Sequence, residues 1–203
     1  MKNISLVVVE DQAMVRGALS ALLTLHGGFE VIAEFSDGQA ALRYLLDNTA
    51  DLVLTDIEMP GLTGLELAAE LSRRLAKPPK VVLLSTFSRT GYVHRARELG
   101  IAGYLLKEAP SDDLARSLKQ VMRGAEVYDP SLVAESASSP DPLTDRERQV
   151  LRLAEAGQST ADIAGKVCRT EGTVRNILSE TIRKLGVRNR AEALRLARDR
   201  GWL

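Results

Sequence analysis

The stretch Asp51-Leu-Val-Leu-Thr-Asp-Ile-Glu-Met-Pro-Gly61 decides the fold of the first half of the chain. Residues 52–55 form a nearly continuous apolar run, which is typical of a strand that is buried on both faces of a parallel sheet. Asp56 follows this run directly, and Pro60 and Gly61 then end the extended segment in a turn. We therefore expect a central strand that carries an acidic side chain to the carboxyl edge of a sheet.

The same pattern extends outward from this stretch, because short apolar runs alternate with amphipathic helical segments through the first 123 residues. The predicted strands are Ser5–Val9, Glu30–Phe35, Asp51–Thr55, Lys80–Leu84 and Ala102–Leu105. The predicted helices are Ala13–Leu25, Gly38–Leu46, Thr63–Leu75, Thr90–Leu99 and Ser111–Arg123. Five repeats of strand and helix predict an α/β domain with a doubly wound, five-stranded parallel sheet.

The rest of the chain changes character. Residues 124–142 are rich in Ser, Ala and Pro and show no sustained period, so we expect a linker there. Residues 143–203 are expected to form a separate all-α domain, with four helices at 145–156, 160–167, 171–185 and 190–200. Thr144 and Glu147 have the spacing of a capping box at the start of the first of these helices.

Charge is distributed unevenly, although the formal net charge of the whole chain is zero. Residues 1–123 carry 14 Lys and Arg against 15 Asp and Glu, whereas residues 141–203 carry 13 against 9, a net charge of +4. The basic segment suits a partner that contains phosphate groups. The single cysteine, Cys168, excludes an internal disulfide and is expected to be a small buried residue. Because no apolar stretch is long enough to span a bilayer, we expect a soluble, cytoplasmic protein.

Polar residues follow the predicted strands at the edge where ligands bind in open α/β sheets: Glu10, Asp11, Asp56, Ser85 and Lys107. Three adjacent carboxylates repel one another unless a hard divalent cation such as Mg²⁺ lies among them. Asp56 could then act as a nucleophile on phosphorus and form an aspartyl phosphate, while Lys107 and Ser85 contact the phosphoryl oxygens. Each residue alone would be an ordinary helix cap, turn hydroxyl or surface lysine, but their joint placement favours a phosphoacceptor site.

This half of the chain resembles the receiver domain of two-component systems in four places: Glu10-Asp11, Asp56–Gly61, Ser85 and Gly103–Lys107. The resemblance covers residues 1–123 and implies a flavodoxin-like fold in which a histidine kinase phosphorylates Asp56. It implies that Mg²⁺ is held by Glu10, Asp11, Asp56 and the backbone carbonyl of Glu58. It also implies that Ser85 and Tyr104 form a switch pair, although Tyr104 could instead be an ordinary aromatic residue at the end of an edge strand.

The second half predicts a helix-turn-helix, with a scaffold helix at Ala161–Val167, a turn at Cys168–Thr170 and a recognition helix at Glu171–Leu185. The polar face of the recognition helix carries the candidate DNA contacts Thr173, Arg175, Asn176, Ser179, Arg183 and Lys184. Taken alone, such a face could simply be solvated. The motifs Leu143–Glu147, Gly172–Arg175 and Lys184–Arg190 resemble the LuxR-type helix-turn-helix of NarL/FixJ-class response regulators over residues 141–203.

This class resemblance implies a transcriptional regulator in which phosphorylation controls dimerisation and sequence-specific DNA binding. Ala193, Leu194 and Ala197 of the last helix are candidate dimer contacts, with packing inside the small domain as the alternative. Ile177 stands where a polar residue is common in the class, which leaves fewer polar groups for base readout. The loops Thr86–Tyr92 and Gly172–Asn176 are more specifically similar to DesR-type regulators, which act with a thermosensing kinase that controls a lipid desaturase.

Two other classes of function are weighed against this interpretation. Phosphatases of the haloacid dehalogenase type also use an Asp nucleophile with Mg²⁺, but their nucleophile follows the first strand, and Glu58 stands where they need a second Asp. The other alternative is a binding module whose output never depends on phosphate, or that recognises RNA. Sequence-specific RNA modules usually stack bases on aromatic side chains, and Trp202 is the only aromatic residue of the C-terminal segment. We therefore expect a DNA-binding regulator and not an enzyme.

Overall fold

The computed structural model describes residues 3–86, 90–138 and 141–203. These residues form two compact units, one within Met1–Ser88 and Arg95–Val133 and the other within Arg89–His94 and Ala134–Leu203. Residues 87–89 of the predicted DesR-type loop and residues 139–140 of the predicted linker lie outside the described residues. Within the described ranges, no helix combines the length and the apolar character that are needed to cross a lipid bilayer.

The first unit contains a parallel sheet, as predicted. Its strands are β1 (Ile4–Val9), β2 (Phe29–Phe35), β3 (Leu52–Asp56), β4 (Lys80–Ser85), β5 (Gly103–Leu106) and β6 (Val127–Tyr128). Their order is β2-β1-β3-β4-β5-β6, and every neighbouring pair is parallel. The central strand β3 is buried along its whole length because both faces of the sheet are covered, which explains its nearly continuous apolar sequence.

The helices between these strands agree with the amphipathic segments of the sequence. They are α1 (Ala13–Leu25), α2 (Gly38–Asp47), α3 (Gly64–Arg74), α4 (Thr90–Glu98) and α5 (Ser111–Met122). The Thr63 side chain accepts a hydrogen bond from the Glu66 N–H and closes a capping box that starts α3. Apolar residues of α1 and α5, among them Leu23 and Leu118, pack against Leu54 and Val82 of the sheet to form a core.

The prediction of five strands is wrong by one, since β6 extends the sheet within the described residues. The Val127 N–H donates to the carbonyl of Ala102, and the Asp129 N–H donates to the carbonyl of Tyr104, at 3.0 and 2.9 Å. Part of the expected linker is therefore regular structure, because β6 is followed directly by helix α6 (Pro130–Ser138). A strand of two residues is too short to show an alternating pattern, so no periodic signal in the sequence indicates it.

The C-terminal helices lie close to their predicted positions: α7 (Asp145–Glu155), α8 (Thr160–Lys166), α9 (Glu171–Lys184) and α10 (Arg190–Asp199). The predicted capping box is present, because the Thr144 hydroxyl accepts from the Glu147 N–H and the Glu147 carboxylate accepts from the Thr144 N–H. Val150, Ile163, Val174 and Trp202 are among the buried residues that form the core of this helical domain.

One prediction about the C-terminal helices is wrong, and one open alternative is decided. Cys168 is exposed, because its backbone has a φ of +52° in the turn after α8 and the preceding Val167 takes the core position. Ala193 and Ala197 are wholly buried in the core of the domain, so for these two candidates the alternative of packing inside the small domain is confirmed. The partly buried Leu194 is the one member of that candidate set with some exposed surface.

Candidate functional site

The predicted acidic residues meet at the carboxyl edge of the sheet. Strand β1 ends at Val9 beside Thr55 of β3, so that Glu10 and Asp11 leave the sheet next to Asp56. Each of these three residues offers a carboxylate oxygen, and the three oxygens lie within 4.8 Å of one another. Chain topology alone brings them together, since the two strands are neighbours in the sheet but far apart in sequence.

Main-chain hydrogen bonds to the first residue of α3 and to β4 fix the segment at the end of β3. The Gly64 N–H donates to the carbonyl of Ile57 at 3.0 Å, and the Ile57 N–H donates to the carbonyl of Leu84 at 3.1 Å. A Cβ atom at position 64 would collide with the carbonyl oxygen of Asp56, so a glycine is required for this close approach. Asp56 is therefore held on a rigid strand end.

Lys107 completes the cluster as predicted. Its Nζ atom lies 2.7 Å from Oε2 of Glu10 and 2.9 Å from Oδ2 of Asp56. The side chain of Lys107 is 10% exposed and that of Glu10 is fully buried. The Lys107 N–H donates to the carbonyl of Ser85 at 2.8 Å, which ties the loop after β5 to the end of β4.

Burial and pairing shift the acid–base properties of this cluster. Burial raises the pKa of the Glu10 carboxyl above its ordinary value, and the neighbouring Asp56 carboxylate adds to the rise, while the hydrogen bond from Lys107 opposes it. Burial would lower the pKa of the Lys107 ammonium, but its hydrogen bonds to Glu10 and Asp56 raise the pKa above the ordinary value. Lys107 therefore keeps its positive charge at neutral pH and faces the two carboxylates.

The cluster has the donor set of a magnesium site. Oδ1 of Asp11 is buried and has no hydrogen-bond partner among the described residues, although a buried carboxylate oxygen normally has one. Three carboxylates at this spacing match the hard oxygen ligands that Mg²⁺ prefers, with room left in its shell for water or a phosphoryl oxygen. The residues present therefore fit the expected cation.

The remaining predicted site residues of this half of the chain are Ser85, Tyr104 and Glu58. Ser85 is the last residue of β4 and is buried, while Tyr104 is wholly buried in β5 and pairs in register with Leu83. Glu58 is exposed, and its N–H lies 3.4 Å from Oδ1 of Asp56, at the limit of a hydrogen bond. Ser85 and Glu58 thus lie at the carboxyl edge with Asp56, whereas Tyr104 lies inside β5, one register position before that edge.

The sequence reasoning missed one residue at this edge. Arg16 lies in the first turns of α1, and its Nη1 donates to the backbone carbonyl of Glu10 at 2.6 Å. The available signal was an arginine five positions after Asp11 on a helix that is otherwise mostly apolar. Such a residue is easily taken for part of a solvated face, because sequence spacing does not reveal a contact to a main-chain carbonyl.

The candidate DNA-binding face has a different character. Arg175, Asn176, Ser179 and Arg183 are exposed on α9, opposite the core residues Val174 and Leu178. Thr173 is half-buried, and its hydroxyl lies 3.0 Å from that of the N-cap residue Thr170. Ile177 is half-buried and packs against the core, so it adds little to the polar surface.

Two basic residues of this face have acidic neighbours. Lys184 donates from Nζ to Oε2 of Glu147 at 2.8 Å, an ion pair that joins α9 to the start of α7. Arg175 lies 3.8 Å from the carboxylate of Glu171 one turn earlier, and both side chains are well exposed. The pair between Arg175 and Glu171 is therefore weak, and the guanidinium can bind another anion instead. Lys184, in contrast, is held in an ion pair between two helices of the domain.

A buried arginine organises the helical domain and was not singled out from the sequence. The guanidinium of Arg148 donates to Asp141 at 2.7 Å, to Asp145 at 2.6 Å and to the carbonyl of Trp202 at 2.9 Å. The Asp141 side chain is 1% exposed, whereas that of Asp145 is 99% exposed. Arg148 therefore ties the segment before α7 to the C-terminal residues of the domain.

With both sites described, the fold and site define a class of protein. The first unit places a buried acid cluster and a lysine at the edge of a six-stranded parallel sheet, and a helix-turn-helix follows it in the chain. This combination is typical of a response regulator. Residues 6–119 match the family described as "Response regulator receiver domain", and residues 141–197 match "Bacterial regulatory proteins, luxR family". The chain belongs to the NarL/FixJ class of two-component response regulators and is a transcriptional regulator with a LuxR-type DNA-binding domain.

Two curated relatives match the chain along nearly its full length. The "Transcriptional regulatory protein DesR" of Bacillus subtilis (strain 168) is 43% identical over 199 residues, which is 98% of each chain. The "Uncharacterized transcriptional regulatory protein YvfU" of the same strain is 42% identical over 98% of this chain and 100% of that protein. The predicted likeness to DesR-type regulators is thus confirmed at the level of overall sequence.

Solved structures show the same architecture. The response regulator ChrA of a heme-sensing two-component system is 31% identical and covers 100% of both chains with a TM-score of 0.58. RcsB of Salmonella enterica serovar Typhimurium, bound to the promoter rprA with the phosphomimetic BeF3-, is 26% identical, with a TM-score of 0.70 over 95% of this chain and 98% of that chain.

Proposed function

We propose that Asp56 accepts a phosphoryl group from a partner histidine kinase and that this modification controls DNA binding by the C-terminal helix-turn-helix. The observation that carries the proposal is the ammonium of Lys107 within 2.9 Å of Asp56, beside two further carboxylates. Phosphoryl transfer depends mainly on positioning and on neutralising charge, and this cluster is built to do both. The match to the receiver-domain family supports the same conclusion.

Each residue of the cluster has a defined part in this proposal. An oxygen of Asp56 attacks the phosphorus atom, the bond to the donor nitrogen breaks, and an aspartyl phosphate forms. Magnesium, when it is bound by the carboxylates of Glu10, Asp11 and Asp56 and the carbonyl of Glu58, would neutralise the charge of the phosphoryl oxygens. Lys107 then pairs with the incoming phosphoryl group, because its ammonium already lies at Asp56.

The output depends on a change at the end of β4. The hydroxyl of Ser85 binds a phosphoryl oxygen, and Tyr104 moves with it as the second member of the switch pair. A phosphoryl group adds a charge of about −2, so the phosphorylated state differs electrostatically from the resting state. Phosphorylation favours a homodimer that presents two α9 helices to half-sites roughly 34–36 Å apart in duplex DNA.

The exposed polar face of α9 is the proposed reading surface. Arg175, Asn176 and Arg183 can pair with base edges or phosphates, and Thr173 and Ser179 can donate to phosphates. Lys184 would contribute only by giving up its ion pair with Glu147. The DNA complexes of the related RcsB support duplex DNA as the partner of this domain.

The test compares the full-length protein with the Asp56→Asn variant in the presence of Mg²⁺ and acetyl phosphate. Intact mass spectrometry should show one added phosphoryl group on the wild type and none on the variant. Light scattering then measures the molar mass of each protein and reports dimerisation. Binding sites are selected from random duplex DNA, and the affinity for the selected sites is measured with and without phosphorylation. The proposal is wrong if both proteins stay unlabelled. It is also wrong if phosphorylation changes neither the molar mass measured by light scattering nor the DNA affinity.

A further inference from the structure

We propose that Arg16 is a positioning residue that fixes the turn between β1 and α1, so that Glu10 and Asp11 are already directed at the cation site before a cation binds. This inference rests on the proposed function, because it concerns the same metal site. It adds a residue that does not touch the phosphoryl group or the cation but acts through the main chain of Glu10.

The carbonyl of Glu10 needs a partner that the sheet does not provide. The pairing of β1 with its two neighbours ends at Val9, opposite Phe35 on one side and Thr55 on the other. Glu10 is fully buried beyond that point, and a buried carbonyl without a hydrogen bond is costly. Nη1 of Arg16 supplies the bond at 2.6 Å.

The two main-chain groups of Glu10 are thereby held from opposite sides. Its N–H donates to the carbonyl of Phe35 at the end of β2, at 3.0 Å, while its carbonyl accepts from Arg16. Glu10 also orders the next residues, because its Oε1 accepts from the N–H of Gln12 at 3.3 Å. The turn that carries two of the three carboxylates is therefore fixed in conformation.

Arg16 is itself held in place. Its N–H donates to the carbonyl of Gln12 at 2.9 Å in the first turn of α1, and its Nε lies 3.9 Å from Oε2 of Glu34 on β2. The side chain is only 21% exposed, so it is not an ordinary solvated arginine. A donor that carries a charge makes a stronger bond to a carbonyl than a neutral donor does.

The benefit of this arrangement lies in preorganisation. Glu10, Asp11 and Asp56 bring three carboxylates within 4.8 Å of one another, and like charges at this spacing repel. Groups that orient metal ligands from outside the coordination shell typically change metal affinity about 10–100-fold when they are removed. The same range is expected here, because the bond from Arg16 orients two ligands at once.

The test measures Mg²⁺ binding to the full-length protein by titration calorimetry, with Arg16→Met, Arg16→Lys and Arg43→Met compared with the wild type. Arg43 is exposed on α2 and controls for the loss of one positive charge. The expected result is a Kd for Mg²⁺ raised about 10-fold or more by Arg16→Met, partly restored in Arg16→Lys and unchanged in Arg43→Met. Amide hydrogen exchange at Asp11 and Gln12 should be faster in Arg16→Met.

A second readout separates positioning from chemistry. At saturating Mg²⁺, the rate of labelling by acetyl phosphate should return to within about two-fold of wild type in Arg16→Lys, since the residue touches no reacting atom. An unchanged Kd and unchanged exchange in both Arg16 variants would overturn the inference. If the wild type itself bound no Mg²⁺, the proposed function would fail instead, so the two failures are distinguishable.

Discussion

The carboxyl edge of the sheet and the exposed face of α9 are organised in opposite ways. At the sheet edge, Glu10 and Asp56 are buried, and the largely buried Lys107 pairs with both of them. On α9, Asn176, Ser179 and Arg183 are exposed to solvent. Catalysis by electrostatic stabilisation needs groups that are already in place, whereas exposed side chains can change rotamer when a partner binds.

This contrast predicts that substitutions at the sheet edge have the larger effects. We expect Lys107→Met to slow labelling by acetyl phosphate about 100-fold or more, because it removes the cation that faces the developing charge on the phosphoryl group. The measurement is the rate of phosphorylation at saturating Mg²⁺. Lys80→Met is the matched control, since Lys80 is exposed at the start of β4, at the other end of the strands, and should label at the wild-type rate.

Asp141 and Asp145 both pair with the guanidinium of Arg148, and their difference in burial should appear as a difference in stability when each is substituted. Asp141→Asn is expected to destabilise the helical domain by about 3 kcal/mol, because it leaves the buried charge of Arg148 without its buried partner. Asp145→Asn should cost no more than about 0.5 kcal/mol, because the Asp145 side chain is exposed to solvent. Urea unfolding followed by the fluorescence of Trp202, the single tryptophan of the chain, reports this domain directly. Equal losses in the two variants would contradict the assignment of Asp141 as the main partner.

On the proposed DNA-binding face of α9, we expect Arg175→Ala to weaken DNA binding about 10-fold. Its contact with Glu171 is weak, so the guanidinium can turn to DNA with little loss. Lys184→Ala should weaken binding less, because Lys184 is already paired with Glu147. Binding titrations at several salt concentrations provide the measurement. A larger effect for Lys184 than for Arg175 would show that the ion pair opens on binding.

The smallest expected effect is a pH dependence at the start of α7. Burial would raise the pKa of Glu147, but hydrogen bonds from Lys184 and Thr144 lower it below its ordinary value. The Glu147 carboxylate therefore stabilises the fold at pH values above the ordinary pKa of a glutamate. This stability is lost as the pH falls through the lowered pKa. We expect Glu147→Gln to cost about 0.5 kcal/mol at pH 7 and progressively less as the pH is lowered below the ordinary pKa of a glutamate, measured by urea unfolding across the acidic range.

The sequence was sufficient to predict the cluster at the sheet edge, because polar residues that follow parallel strands must all lie at the same edge of the sheet. Asp56 and Lys107 could be identified in this way, although they are far apart in the chain. The contact from Arg16 to the carbonyl of Glu10 could not, since no side-chain pattern marks an unpaired main-chain group. The two-residue strand β6 had no period to detect.

On the helical domain, the sequence predicted the helices and their core faces but not the details of individual residues. Apolar spacing identified Val174 and Leu178, because a helix has only one face to bury. It did not reveal the left-handed backbone of Cys168, since a small apolar residue is normally buried. The network around Arg148 depends on Asp141 and Trp202, which meet only after all four helices pack.

The exposed turn residue Cys168 has a practical consequence. It is the single thiol of the chain and lies two residues before Thr170, the N-cap of α9. A maleimide dye would therefore attach at one known position beside the proposed DNA-reading helix, without any engineered cysteine. Its emission would follow the arrival of duplex DNA in real time, on a protein in which the proposed phosphoacceptor Asp56 and its neighbours are unchanged.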